Sequence, residues 1–467
     1  MKTCSVLFFA AVFACLWMPP TAQAQAVQQI WQNNCVRCHG DRGQGAMARS
    51  LLRPELTDAE HDPRFFEAIR DGLPDDGMDG YDEALSDEEM WGLVVHIREL
   101  QEQGRRRRES PRQPNDEGLV ASTHHDYRFE RVIEEGLTIP WALTFLPDGR
   151  MLIAERAGNL RLYDGEQLSD PVRDTPRVVH AGQGGLLGIA LHPDYEQTGW
   201  VYLAYTHEND GLMTRVVRGR LDDQRWIDQE VIFEAPQELY LPTRQHFGCR
   251  LVFDDEGYLY FTIGDRGRGP HAQDLARPNG KVHRLHDDGR VPADNPFVDE
   301  SDAMPSIWSY GHRNPQGLAF DHETGQLWAT EHGPRGGDEL NRIQRGGNYG
   351  WPEVSHGINY NGTPFETPWH DSDFIDPVLR WTPSIAACGL DVVRGDAFSQ
   401  WDGDLLTGAL AGQVVERLRV RDGEVVERER LIERMGRVRD VVCGPDGMVY
   451  IALNDPHHIV RLVPVDE

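Results

Sequence analysis

Lysine is almost absent from this chain: only Lys2 and Lys281 occur in 467 residues. Arginine carries nearly all of the positive charge, and 47 Lys and Arg stand against 76 Asp and Glu, a formal net charge of −29. So acidic a balance repels phosphate backbones and anionic headgroups, which excludes nucleic acid and anionic membrane surfaces as partners. Long apolar runs are scarce as well. One stands out, Val6 to Met18, which follows Lys2, ends at Pro19-Pro20 and is trailed by Ala22-Gln23-Ala24. It is too short for a membrane span and has the parts of a secretory signal peptide, so residues 1–24 are read as an export signal and the mature chain as periplasmic. Cysteine is sparse: two of the seven fall in that signal, leaving Cys35, Cys38, Cys249, Cys388 and Cys443. The last three cannot all pair with one another, so at least one is a buried thiol or an intermolecular partner.

Cys35-Val36-Arg37-Cys38-His39 is a C-x-x-C-H motif. Two thiols at that spacing can bond covalently to haem vinyl groups, and the next His then lies under the iron as proximal ligand. A redox C-x-x-C or half a zinc site is the competing reading. The export signal, the helical lead-in VQQIWQNN and the following HGDRGQG favour haem c. The second axial ligand is expected from the same unit, residues 25–103, read as a small all-α cytochrome c domain. Met78 is the candidate, in a Gly/Asp-rich loop ahead of a helix that Ser86 and Glu89 would cap as a capping box. Small bacterial cytochromes c usually have Pro after this Met, and here Asp79 follows, leaving the loop less rigid. Met90 reads as a packing residue, and His61 and His96 as surface alternatives for a second His ligand. A His39–Met78 pair would raise the potential and make the haem an electron carrier.

Residues 104–125, beginning GRRRRESPRQPNDE, are charged, proline-bearing and without apolar periodicity, and read as a solvated linker. Beyond them, residues 126–467 repeat one pattern: an apolar strand, a Pro-Asp-Gly type turn, another strand, a polar stretch, a further strand. Six copies fall at 141–165, 186–207, 250–265, 317–333, 389–420 and 439–463. Six units of four-strand size predict an all-β six-bladed β-propeller. Innermost strands of a propeller converge on a central channel, so residues just before them share one face. Those residues are Gln183, His246, Arg313-Asn314, Arg437 and Arg439, joined by Asp265 and the EHGP turn at 331–334. The hairpin RLVFDDEGYLYFTIG should bring His246 and Asp265 together as a general base and its orienting carboxylate. One base amid several cations and amides suits a flat polyanionic ligand.

The stretches GQGGLLG, HFGCRLVF with TIGD, GRVPADNPF, GHRNPQGLAF, EHGP, WTPSIA and RVRDVVCGPDG resemble the soluble PQQ-dependent aldose dehydrogenases, the glucose/sorbosone dehydrogenase family, over nearly all of residues 130–463. The resemblance implies His246 as catalytic base, Asp265 as its orienter and Arg313 beside the reacting quinone carbonyl. It further implies Gln183, Asn314, Arg437 and Arg439 as PQQ contacts, and the carbonyls of Gly333 and Pro334 as ligands of Ca²⁺. Two departures accompany it. No lysine stands near Ala411, where some members carry one against PQQ, and Cys249 stands where a small residue such as glycine is common. The expected activity is oxidation of an aldose sugar to its lactone, with electrons passing through the chain's own haem to a downstream acceptor, a cytochrome or the quinone pool. Three alternatives are another alcohol or aldehyde as substrate, a Ca²⁺-dependent lactonase-type propeller, and a non-catalytic propeller docking the cytochrome.

Overall fold

A computed structural model describes residues 26–365 and 373–465; the signal-peptide segment lies outside them. The N-terminal unit is helical: α1 (Val27–Asn34), α2 (Val36–His39), α3 (Asp62–Asp71) and α4 (Asp87–Arg108). Ile30, Trp31, Phe66, Met90, Leu93 and Ile97 form its core. Met90 is thus the packing residue its position suggested. The predicted capping box closes α4: Glu89 N donates to Ser86 Oγ at 3.3 Å and Ser86 N to Glu89 Oε2 at 3.2 Å.

α4 does not stop at Gly104. It continues through the arginine run to Arg108, with Asp87, Glu88 and Glu89 in its first turn and Arg105 to Arg108 in its last. Arginine is a good helix former, and charges so placed complement the helix dipole at both ends. The segment read as a solvated tether is therefore partly helix and partly docked. Arg105 Nη2 donates to Glu433 Oε1 at 2.8 Å and Arg112 Nη1 to Glu429 Oε1 at 2.5 Å, and Glu433 N donates to Arg112 O at 2.8 Å.

The propeller has six blades of antiparallel strands. Three strands, Pro140–Phe145, Met151–Glu155 and Leu160–Tyr163, make the first. The inner strands of the next four begin at Leu186, Leu251, Pro315 and Ala387, each followed outward by three more. The sixth holds Val438–Cys443, Val449–Asn454 and His457–Pro464, and its two outer strands come from earlier in the chain: Tyr127–Ile133 pairs with His457–Pro464, Phe129 opposite Leu462, and Leu119–Val120 pairs outside it. This pairing of the two ends closes the ring and leaves no blade unpaired. Between blades, apolar faces pack without gaps: Phe247, Leu251, Phe261 and Leu285 of the third meet Leu187, Tyr202 and Val216 of the second. Because inner strands start at the channel, the loop before each delivers its side chains to one central face. Lys281, the sole lysine among the described residues, is fully buried below it. Its ammonium donates to the carbonyls of His271, Ala272 and Asn279 at 3.0, 2.8 and 2.7 Å, pinning the loop that follows Asp265.

Candidate active site and haem site

The hairpin Leu251–Phe253 and Tyr258–Ile263 does bring its outer ends together: His246 Nδ1 lies 2.7 Å from Asp265 Oδ1. Asp265 is buried and also accepts from Gly267 N at 2.6 Å and from Trp351 Nε1 at 2.8 Å. Burial alone would raise its carboxyl. The hydrogen bond and charge of His246, the Gly267 N–H and the Arg313 charge outweigh that and hold it below the usual carboxylate range. A carboxylate can only accept, so Nδ1 carries the proton between the two groups, and in the neutral imidazole the lone pair is on Nε2.

Several neighbours hold this pair in place. His246 takes a left-handed backbone, φ 53°, a conformation that costs a non-glycine residue energy and persists where surroundings fix it. Its N–H donates to Gln183 Oε1 at 2.8 Å. Behind it, the buried guanidinium of Arg266 donates to the carbonyls of Gln245, Leu212 and Thr243 and lies 3.5 Å from the Phe247 ring centre. Gly264 lets the strands approach: an added Cβ would fall 2.5 Å from His246 O and 2.8 Å from Asn314 Oδ1. Asn314 Oδ1 accepts from Gly248 N at 3.1 Å, joining the third blade to the fourth. Cys249, next along, has φ 141°, territory that favours glycine, which is the physical reason a glycine would be usual there.

Around the dyad, positive charge is not balanced. Arg439 is buried, with its Cζ 3.6 Å from the Trp141 ring centre, and its Nη1 donates to Gln316 Oε1 at 2.9 Å. Arg156 lies over the same ring at 5.4 Å, and Arg437 is exposed at the rim. Burial, with Arg250, Arg437 and Arg156 close by, pushes Arg439 down to about 9, so it stays cationic at neutral pH. A cation kept there without a carboxylate on its guanidinium calls for an anionic ligand. Arg313 Nη1 donates to His332 O at 2.9 Å and Gly333 O at 2.7 Å, Nη2 reaches Tyr360 Oη at 3.4 Å, and Nε has no partner. Nε2 of His332 is likewise buried and unpartnered. Orphaned polar atoms beside excess arginine fit a flat, many-oxygen anion such as PQQ. The calcium carbonyls fit less simply. Gly333 O already accepts from Arg313, and Pro334 O accepts from Ser384 Oγ at 2.8 Å, so a cation there takes the second lone pair of each oxygen.

In the helical unit Cys35 is the residue between α1 and α2, and Cys38 lies within α2 one residue before His39. His39 Nδ1 is buried without a partner, and Met78 joins Cys35, Val36 and Trp91 at the edge of the apolar core. Paired thiols, an adjacent His and a thioether against one core suit covalent haem. With Asp79 in place of a proline after it, Met78 is held by the backbone: Leu73 N donates to Met78 O at 2.8 Å and Met78 N to Leu73 O at 3.1 Å. His96 is not a surface residue as expected but buried, edge-on to Trp31 with Nδ1 3.4 Å from Glu99 Oε2. Cys249, Cys388 and Cys443 are all free thiols; burial pushes Cys249 up to about 12 and Cys388 to about 11, which makes them inert.

Trp351, Tyr360, Arg266 and Arg156 were missed by sequence reasoning, and His332 was named only as part of the EHGP turn. Arg266 sits beside a recognised motif residue, and adjacency was the available signal. Trp351 and Tyr360 come from a loop within the fourth blade that carries no repeat pattern.

The two domains define the class, a dehydrogenase-type propeller carrying its own cytochrome c domain. The chain belongs to the glucose/sorbosone dehydrogenase family, whose model matches residues 137–461; a model of the cbb3-type cytochrome c oxidase subunit III matches residues 22–97. It is 43% identical over 335 residues to the aldose sugar dehydrogenase YliI of Escherichia coli, covering 69% of this chain and 89% of that protein. It is 29% identical over 410 residues to quinoprotein glucose dehydrogenase B of Acinetobacter calcoaceticus, covering 70% and 85%. Among solved structures, the apo-form of the soluble E. coli aldose sugar dehydrogenase aligns with TM-score 0.68 and 39% identity over 73% of this chain and all of that one. The PQQ-bound aldose sugar dehydrogenase of Streptomyces coelicolor aligns with TM-score 0.60 and 27% identity over 74% of this chain and all of that one. No helix among the described residues is long and apolar enough to cross a membrane.

Proposed function

We propose that this chain is a periplasmic PQQ-dependent aldose dehydrogenase that oxidises the C1 hydroxyl of a sugar to its lactone and passes the electrons to its own haem c. The observation that carries this reading is the His246–Asp265 contact of 2.7 Å set among arginines that lack a carboxylate partner. PQQ, when bound, supplies the two-electron hydride acceptor. The protein's part is to move one proton and to hold charge. His246 Nε2 takes the hydroxyl proton, while anionic Asp265 fixes the tautomer and stabilises the imidazolium that forms. Arg313 Nε and the buried Arg439 set a positive field where negative charge develops. Gln183, Asn314 and Arg437 complete the contacts to the anion. In this reading the carbonyls of Gly333 and Pro334 would hold Ca²⁺ through their second lone pairs, each already accepting one hydrogen bond, from Arg313 Nη1 and Ser384 Oγ.

A lactonase-type site would converge side-chain carboxylates on its metal. No group of three or more His, Cys, Asp or Glu suited to a metal occurs among the described residues, which favours the dehydrogenase. The test is titration of the purified protein with PQQ in the presence of Ca²⁺, an aldose and a small redox dye. Dye reduction should rise with PQQ and saturate. A protein that remains inactive across aldoses at saturating PQQ contradicts the proposal.

A further inference from the structure

His39 of the haem motif and Arg335, the residue after Gly333-Pro334 in the site loop, are connected by an unbroken series of side-chain contacts. The His39 ring centre lies 6.2 Å from that of Trp31, and Trp31 meets His96 edge-on at 5.4 Å. His96 Nδ1 is 3.4 Å from Glu99 Oε2, and both Glu99 oxygens accept from Arg335, through Nε and Nη2, at 2.5 Å each. Its middle is buried: Trp31 is 2% exposed, His96 8% and the Glu99 side chain 12%, while the Arg335 side chain is 28% exposed.

The surroundings form a built seat. Val27 of α1 and Val95 of α4 pack on Ile358, and Ile358 exchanges both backbone hydrogen bonds with Arg335, at 2.8 and 3.1 Å. Val27 N donates to Gly362 O at 2.9 Å, and Asp62, already held by Arg98, accepts from Arg380 Nη2 at 2.7 Å. Gly92 allows the close fit, since a Cβ there would stand 2.5 Å from Val27 Cγ1. The loop so gripped also carries Tyr360, which touches Arg313.

Resting on the reading above, we infer that this interface is the enzyme's electron outlet, with Trp31 and His96 bridging haem to site loop and Glu99–Arg335 latching the cytochrome domain in place. Oxidation of one C1 hydroxyl releases two electrons and two protons. Ferric haem takes one electron at a time, so the outlet is used twice per sugar. An external one-electron carrier reoxidises the haem after each passage, and the protons go to solvent. A bidentate ion pair with its carboxylate largely buried suits a latch, because removing Arg335 strands the Glu99 charge in the interface. Glu99 and Arg335 are positioning residues here and touch no substrate.

The experiment uses the full-length PQQ- and haem-loaded protein and the variants Glu99→Arg, Arg335→Glu and the double exchange. Three quantities are measured: sugar-driven dye reduction, sugar-driven haem reduction in a rapid-mixing instrument, and the radius of gyration from X-ray scattering. Each single reversal should slow haem reduction about tenfold or more and enlarge the particle, with Glu99→Arg leaving dye reduction unchanged. The exchange should restore haem reduction and compactness to near the parent values. Reversals that reduce haem at the parental rate overturn the inference. So does a slowed rate that the exchange fails to restore with the radius of gyration unchanged, which marks damage rather than an undone latch. If the parent reduces dye but never haem, the outlet reading of the haem fails and this inference falls with it.

Discussion

Replacement of His246 by alanine is expected to lower the rate of sugar oxidation by ~10²–10⁴-fold, the range for loss of a positioned general base. Haem content and PQQ affinity should change little, because the imidazole is held through Nδ1 and, in the proposed mechanism, its Nε2 serves the substrate rather than the cofactor. Measurement of kcat with a redox dye, beside PQQ titration by calorimetry, separates these effects. Part of any stability change will come from the backbone, since position 246 has φ 53°. His246→Asn is the control, as Asn tolerates that conformation better than Ala and supplies no base. The pH dependence follows from Asp265. Its folded value is depressed, so the stability it contributes is present above the unfolded carboxylate value and lost as pH falls through the lower folded one. Loss of rate at neutral to mildly acid pH therefore does not come from Asp265.

Arg439→Met should act in opposite directions on the apo and loaded protein. Without PQQ the buried guanidinium is a cation beside other cations, on an indole ring and the amide oxygens of Gln316 and Asn454. Methionine fills similar space without charge, so the apo protein should hold or gain stability, by up to about 1–4 kcal/mol. PQQ binding should weaken by about 10–100-fold, the loss of one charge-assisted hydrogen bond to a carboxylate at roughly 1.5–3 kcal/mol. Thermal unfolding of the apo protein and calorimetric titration with PQQ measure the two halves. Weaker PQQ binding with a strongly destabilised apo form would mean that Arg439 is a structural residue.

What the chain discloses before folding follows the range of its interactions. The hairpin ends His246 and Asp265 were legible because two strands and a short turn dictate where outer ends go. The propeller was legible because each copy repeats its alternation and turn. By contrast, Tyr127–Ile133 completes a blade whose inner strands lie at the far end of the chain, and no local pattern marks that partner. The arginine run after Gly104 showed charge without apolar periodicity and so read as tether. Its helix is held by capping, the dipole and ion pairs to Glu433, none of which periodicity registers. His96 looked like a surface residue for the same reason: Trp31 and Glu99 bury it, and the Glu99 partner Arg335 lies in the other domain. No proline follows Met78, but a pair of backbone hydrogen bonds with Leu73 fixes that loop.

The central claim, that sugar oxidation in the propeller drains through the attached haem, is tested most directly by one anaerobic mixing experiment. PQQ-loaded protein with oxidised haem is mixed with an aldose, with no other acceptor, while the haem absorption is followed. The account predicts that haem becomes reduced at a rate set by sugar concentration, at protein concentrations low enough to exclude transfer between molecules. Haem that stays oxidised while the same sample reduces an added dye contradicts it.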